Sequence, residues 1–312
     1  MTLLQLTYAL ALDRYGHFGR AAEACHVTQP ALSAAIRALE TELGVVLFDR
    51  TTHPIRPTDV GASVVNQARH VLAEAERLED LVSEATGELA GELRVGILST
   101  IAPYMIPLVI APFGRRYPNV ELVFEELVAE AIVDGVRRDH LDAGLVATPP
   151  HARGVEETPL FVEPLVGYVA PSHRLYERDA ISVADLSPDD VWLMREGHCF
   201  RQQALALLEQ GAAGRPTPRA VQFESGNLET LQRIVDRGYG MTLLPWLAVQ
   251  GQGSHAPASV RPFHPPAPHR TVRLVYPATL VRRQLVRAFA AEVAMAVAAD
   301  LPPGSVVYES EP

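Results

Sequence analysis

The stretch Arg20-Ala21-Ala22-Glu23-Ala24-Cys25-His26-Val27-Thr28-Gln29-Pro30-Ala31-Leu32-Ser33 decides the reading of the amino-terminal region. Its first six residues form a short helix whose small side chains let a second helix pack close. The chain turns at His26-Val27. Thr28 then stands at an N-cap, with Pro30 early in the next helix, where a missing N–H costs nothing. Leu32, Ile36, Leu39 and Leu43 follow at steps of 4, 3 and 4 and make one apolar stripe. Gln29, Ser33 and Arg37 lie about a quarter turn away, on the exposed side. That set suits a DNA groove: Arg pairs with guanine, Gln with adenine, and Ser with a base or a phosphate. Gly44 ends the helix, and Arg50 leads a hairpin-like segment placed to reach a phosphate. Periodicity alone is met equally by a small helical domain with a wet polar face. Cys25 reads as a small buried hydrophobe.

Downstream, residues 58–86 carry one long amphipathic pattern that runs to Gly87 and Gly91. Val64, Ala68, Val71, Ala75, Leu78 and Val82 are spaced 4, 3, 4, 3 and 4, an a/d heptad seam that asks for a partner helix. Packing on the chain's own domain is the alternative, but the acids on the other faces favour an exposed rod and dimerisation. Paired heads then imply a roughly palindromic DNA site.

Composition narrows the chemistry. All 27 Lys+Arg residues are Arg, which excludes lysine Schiff bases, a phosphate loop ending in Gly-Lys-Ser/Thr and lysine nucleophiles. The net charge is −10, yet residues 1–58 carry five arginines against five acids, so this segment alone is not repelled by a polyanion. Phosphate anchoring there rests on Arg20, Arg37, Arg50 and Arg56. Two cysteines, the lack of a signal peptide and the lack of an apolar run of 18 residues give the expectation of a cytoplasmic protein. The histidines of His264-Pro265-Pro266-Ala267-Pro268-His269 lack acidic or thiol neighbours and read as a surface turn, with no metal or cofactor expected.

From Glu92 onward, apolar runs such as Leu93–Leu98 and Val120–Phe124 alternate with helical stretches at 103–116, 128–138, 200–210 and 227–237. Alternation predicts a mostly parallel α/β sheet. Ligands to such a sheet collect at strand carboxyl ends and helix N-termini. Ser99-Thr100 offers a hydroxyl there. Cys199 falls at a helix N-terminus between His198 and Arg201, where dipole, free N–H groups and positive charge favour a thiolate. A lone cysteine is otherwise ordinary core filling.

The segments His17–Ala22, Val27–Ser33 and Leu39–Arg50, continuing through Pro57-Thr58-Asp59-Val60-Gly61, resemble the winged helix-turn-helix of LysR-type transcriptional regulators over the first 60 residues. Gly197–Arg201, Leu228–Leu231, Gly240–Pro245 and Arg270–Val272 are similar to the OxyR branch of that family, which senses peroxide. The resemblance runs to about residue 295. It implies a regulator, not an enzyme, with a winged head at 1–58, a linker helix at 59–90 and a periplasmic-binding-protein-like α/β effector domain at 91–300. The effector domain would have one subdomain at 91–163 plus 268–300 and a second at 164–267, with a flexible tail at 301–312. It also implies homodimers or homotetramers, double-stranded DNA and RNA polymerase as partners, and hydrogen peroxide as the signal. By the resemblance Cys199 is oxidised, and His198, Arg201 and Thr100 bind and activate peroxide.

Three departures qualify this. Leu208 stands where the branch carries a resolving cysteine, Ala129 where it tends to have Thr, and Gln202 where an acid is expected. An intramolecular disulfide switch is therefore closed, which leaves sulfenic acid, sulfinic acid, or capping by a small thiol or another chain. Two other functions stay open: a regulator whose effector cleft near Thr100 and Thr242 binds an anionic metabolite, and a thiol peroxidase.

Overall fold

The computed structural model describes residues 1–86, 89–150, 152–211, 225–250, 259–278 and 283–308. The chain divides into two compact units, residues 1–89 with 279–284 and residues 90–278 with 285–312. In the first, α1 (Leu3–Tyr15), α2 (Phe18–Ala24) and α3 (Gln29–Leu43) precede a two-stranded wing, β1 (Phe48–Asp49) and β2 (Arg56–Pro57), and the long α4 (Asp59–Thr86). A capping box between Thr2 and Gln5 starts α1, and the His17 ring caps α2 by accepting from the Gly19 and Arg20 amides. Leu6, Leu12, Leu32, Ile36, Leu39 and Phe48 fill the core. Leu43, the last member of the expected stripe, is instead exposed, because α3 ends there at Gly44 in the left-handed region. Gly61 is required where α4 crosses the wing, since a Cβ would lie 1.9 Å from the Leu47 carbonyl oxygen.

The heptad seam divides along α4. Ala68 is buried in the head's own core with its neighbour Val65, and Val64 and Val71 pack against that core. Arg69 also ties the helix to α1 through Asp13, at 2.7 Å. Leu78 is 65% exposed. The seam's first half thus covers its own chain, because α1 lies against it. The side chain of Val82 and the residue Gly87 lie outside the described residues.

The second unit is built on one sheet in the order β4 (Asn119–Leu127), β3 (Ala90–Leu98), β5 (Ala143–Val146), β10 (His269–Pro277), β6 (Val155–Val169), β8 (Met241–Pro245), β7 (Val191–Trp192), with β9 (Ser259–Pro262) also paired to β6. Helices α5 (Ala102–Arg116), α6 (Ala129–Arg137), α7 (Cys199–Gln210), α8 (Leu228–Asp236) and α9 (Arg283–Ala298) complete the unit. The expectation of a mostly parallel sheet is corrected. β3 pairs in parallel with β4 and β5, and β7 with β8, but β10 and β6 enter antiparallel between them. Of these two, β6 runs from one end of the sheet into the other. β6 pairs with β10 through Pro164, then with β8 from Leu165.

The expected flexible tail is also corrected as far as residue 308. After the turn at Pro302-Pro303-Gly304, the Val162 amide donates to the Ser305 carbonyl (2.7 Å), and the Val307 and Tyr308 amides donate to the Leu160 carbonyl (3.0 and 3.1 Å). Leu301 is buried, and the Trp246 indole donates to the Asp300 carbonyl at 2.7 Å. Backbone groups of β6 facing away from β10 need partners, and this strap supplies them. Residues 309–312 lie outside the described residues.

Candidate functional site

Helix α3 presents Thr28, Gln29, Pro30 and Arg37 to solvent, with Ser33 partly covered. The Thr28 hydroxyl makes no capping bond, and Thr28 and Gln29 are both exposed. The other two basic candidates near this face are partly engaged. Arg20 donates to the Tyr15 carbonyl at 2.9 Å, which anchors α2. Arg50 donates to Glu40 at 2.6 Å and lies 5.4 Å over the Phe18 ring. Glu40 also accepts from the Leu47 and Phe48 amides (2.9 and 3.3 Å). One carboxylate therefore fixes the start of the wing against α3, and Arg50 is held as much as offered.

In the effector unit, Cys199 is the first residue of α7 and His198 its N-cap. His198 is 8% exposed; its Nδ1 lies 3.4 Å from the Ser99 hydroxyl, while its Nε2 has no hydrogen-bond partner among the described residues. Burial first, and then the nearby Arg195 charge, push the His198 pKa down, so the ring is neutral at neutral pH. One turn along α7, Gln203 donates to the Ala147 carbonyl at 3.2 Å, which bridges to the other end of the sheet. Its buried Oε1 likewise has no partner among the described residues. Gln203 was missed in the sequence, although its i, i+4 spacing from Cys199 put it on the same helix face.

The sequence-based expectation for the thiol is overturned. Burial pushes the Cys199 thiol up, outweighing the lowering by Arg270 and by the Phe200 and Cys199 amides. The helix N-terminus is present, but desolvation of the sulfur is the larger effect. Arg201 does not supply the positive charge expected of it. It turns to donate to the Met194 carbonyl at 2.7 Å, because α7 carries it toward β7. The guanidinium that acts on the sulfur belongs to Arg270, which β10 brings from far along the chain.

Arg270 is fully buried and lies 5.5 Å over the Phe200 ring. It donates to the Thr100 carbonyl (3.1 Å), the Thr100 hydroxyl (3.3 Å), the Tyr104 hydroxyl and Glu163 (2.8 Å from Nε). Thr100 is thus brought into the site, through Arg270. Burial raises the Tyr104 pKa well above the usual phenol value, so its hydroxyl remains a donor, to Glu163 at 3.1 Å.

A cavity of about 560 Å³ opens beside Thr100 and Tyr104, between the first turns of α5 and helix α8. Its charged lining is Glu229, Asp236 and Asp300 against Arg233, which disfavours an anionic ligand. Thr242 is not part of it; that residue is buried in β8, with its hydroxyl donating to the Trp192 carbonyl. Among the described residues no cluster of side chains suits a metal ion, and no helix is long and apolar enough to cross a membrane.

A winged head on a long helix, joined to an α/β unit with a half-buried thiol at the start of α7, defines a bacterial regulator that couples an effector domain to DNA. Residues 3–62 match the bacterial regulatory helix-turn-helix protein model of the lysR family, and residues 86–298 match the LysR substrate binding domain. The hydrogen peroxide-inducible genes activator of Dickeya chrysanthemi is 35% identical over 88% of this chain and 89% of its own length. A full-length OxyR from Pseudomonas aeruginosa, carrying an aspartate in place of a cysteine, is 35% identical and superposes with a TM-score of 0.77 over 95% of this chain and 98% of that one. Corynebacterium glutamicum OxyR, as a cysteine-to-serine mutant bound to hydrogen peroxide, gives 29% identity and a TM-score of 0.63 over 96% and 93%. The chain belongs to the LysR family of transcriptional regulators, in its OxyR branch.

Proposed function

We propose that this regulator senses hydrogen peroxide through oxidation of Cys199 and carries the change to paired DNA-binding heads. The observation that carries the reading is a pair of buried polar atoms without partners among the described residues, His198 Nε2 just before Cys199 in the chain and Gln203 Oε1 one helical turn after it. Hydrogen peroxide has two O–H donors and two acceptor oxygens. An amide oxygen and an imidazole nitrogen match it, and the Thr100 hydroxyl is held by Arg270 at 3.3 Å. The relatives' names point the same way.

The chemistry balances with the residues present. Cys199 first loses its proton to solvent, and the thiolate, with neutral His198 accepting a peroxide O–H, attacks one peroxide oxygen as the O–O bond breaks. The leaving hydroxide takes a proton back as water, and Cys199 becomes a sulfenic acid. Leu208, 5% exposed inside the second core, replaces the resolving thiol, so no disulfide forms within the domain. The larger, more polar sulfur then biases α7 and the crossing strands β6 and β10. Residues 91–163 with 268–300 shift against residues 164–267. On the DNA side, Thr28, Gln29, Pro30, Ser33 and Arg37 read and clamp the groove, Arg20 and Arg50 contribute phosphate contacts, and RNA polymerase is the partner downstream. Exposed Leu78, with Ala75, pairs α4 with a second copy.

The test is intact mass and operator binding before and after graded peroxide, for wild type and Cys199→Ser. One added oxygen at Cys199, with altered binding only in the wild type, is expected. No adduct, or the same binding change in the variant, defeats the reading.

A further inference from the structure

Glu163 and Arg270 are direct register partners across β6 and β10, at the point where β6 leaves one end of the sheet for the other. Both side chains are fully buried, 2.6 Å apart at their nearest atoms. The second carboxylate oxygen of Glu163 accepts from the Leu247 amide at 3.2 Å, so the pair is tied to the short helical turn after β8 as well. Arg270 has a second set of anchors that do not involve Glu163, namely the Thr100 carbonyl and hydroxyl and the Tyr104 hydroxyl. Removal of the carboxylate charge therefore leaves the guanidinium in place. The same guanidinium lies 5.5 Å over the ring of Phe200, the residue after Cys199, and its charge lowers the thiol pKa against the larger effect of burial.

From this arrangement we infer that Glu163 is a positioning residue that acts through Arg270: by neutralising the charge of that guanidinium it restrains the reactivity of the Cys199 thiol. The inference rests on Cys199 being the sensing thiol. Several charged or titratable groups of the described residues lie near the start of α7. Arg270 comes from β10, Glu163 from β6 and Tyr104 from α5. Arg195 and His198 precede α7, and Arg201 on α7 is turned to Met194. Arg270 is the one guanidinium among them that acts on the sulfur, and Glu163 is its counter-charge. An ion pair at such burial gives its two members opposite effects on a third group: loss of Arg270 disfavours the thiolate, whereas loss of the Glu163 charge unmasks Arg270 and favours it. A purely architectural pair has no such asymmetry.

The experiment measures iodoacetamide alkylation of Cys199 against pH in the full-length protein, resolved by peptide mass spectrometry so that Cys25 is counted apart. The thiolate displaces iodide, so the midpoint reports the thiol without peroxide. Glu163→Gln should lower the midpoint by about one pH unit. That raises the thiolate fraction at pH 7 about tenfold, and the rate about threefold once the weaker nucleophile is allowed for. Arg270→Gln should raise the midpoint. Tyr104→Phe removes an uncharged partner, so it should lower the melting temperature and leave the midpoint where the wild type has it.

A folded Glu163→Gln protein with an unmoved or raised midpoint overturns the proposal. Should that variant not fold, Glu163→Asp, which keeps a buried charge but draws it back from the guanidinium, is measured instead. A midpoint below the wild type supports the proposal, and one at or above it overturns it. Peroxide inertness of Cys199 together with these alkylation shifts would sink the sensing reading and leave the electrostatic restraint standing. Peroxide oxidation without the shifts would do the reverse.

Discussion

Helices α3 and α7 begin in the same way and end in opposite chemistry. Each starts at an N-cap residue, Thr28 or His198, whose side chain makes no capping bond, and each carries its functional residues on the first turns. On α3 Thr28, Gln29 and Arg37 are exposed, where side-chain donors near a helix N-terminus can meet a phosphate. On α7 the same N-terminus faces a sulfur that burial has already pushed toward the protonated thiol. A helix N-terminus offers a few tenths to about 1 kcal/mol to an exposed anion, which decides matters only when desolvation is small. Exposure sets the sign of the outcome, and the local motif does not.

The largest test of that contrast concerns pH. If burial governs Cys199, its rate of oxidation by peroxide should climb close to tenfold per unit from pH 6 to 8, still rising beyond the ordinary thiol range, because only the scarce thiolate attacks. A rate already flat above pH 7, followed by stopped-flow mixing or timed mass spectrometry, would mean that the helix N-terminus wins after all. On α3, Arg37→Ala should weaken operator binding by about 1–3 kcal/mol in a titration at fixed salt, with relaxed preference at one base position if the arginine reads guanine. Loss of Glu40, as Glu40→Gln, should cost roughly 1 kcal/mol of stability and loosen the wing, since its pairing with Arg50 is only part-buried. Thr28→Ala should change the melting temperature least, by the equivalent of a few tenths of a kcal/mol, where a bonded N-cap would cost about 1. It should still reduce affinity for DNA if its hydroxyl meets phosphate.

What the sequence revealed was local. The helix-turn-helix was legible because Leu32, Ile36 and Leu39 recur with the helical period and are all buried. The position of Cys199 at the start of α7 was legible from the apolar run before it and the helix after it. The group that acts on the sulfur was not. Arg270 arrives through the pairing of β10 with β6, and no spacing along the chain records that register. Arg201, next but one to Cys199, was the natural guess and is directed elsewhere by the turn of the helix. The sheet misled for the same reason: alternation shows that strands and helices take turns, but not that β10 returns antiparallel between β5 and β6. The strap at 302–308 is rich in Pro and Gly and looks like a loose end, yet its partners are backbone groups of β6, which leave no trace in side-chain pattern.

That strap also gives the molecule an optical handle. The chain has two tryptophans, and the indole of Trp246 donates to the Asp300 carbonyl at the point where α9 passes into the strap. Trp246 sits at the end of β8, on the far side of the β6 crossing from α9. Its emission is therefore sensitive to the junction between the two halves of the effector unit, and a Trp192→Phe background isolates the signal. Peroxide-driven rearrangement can then be followed in real time without attaching a dye, and without DNA in the cuvette.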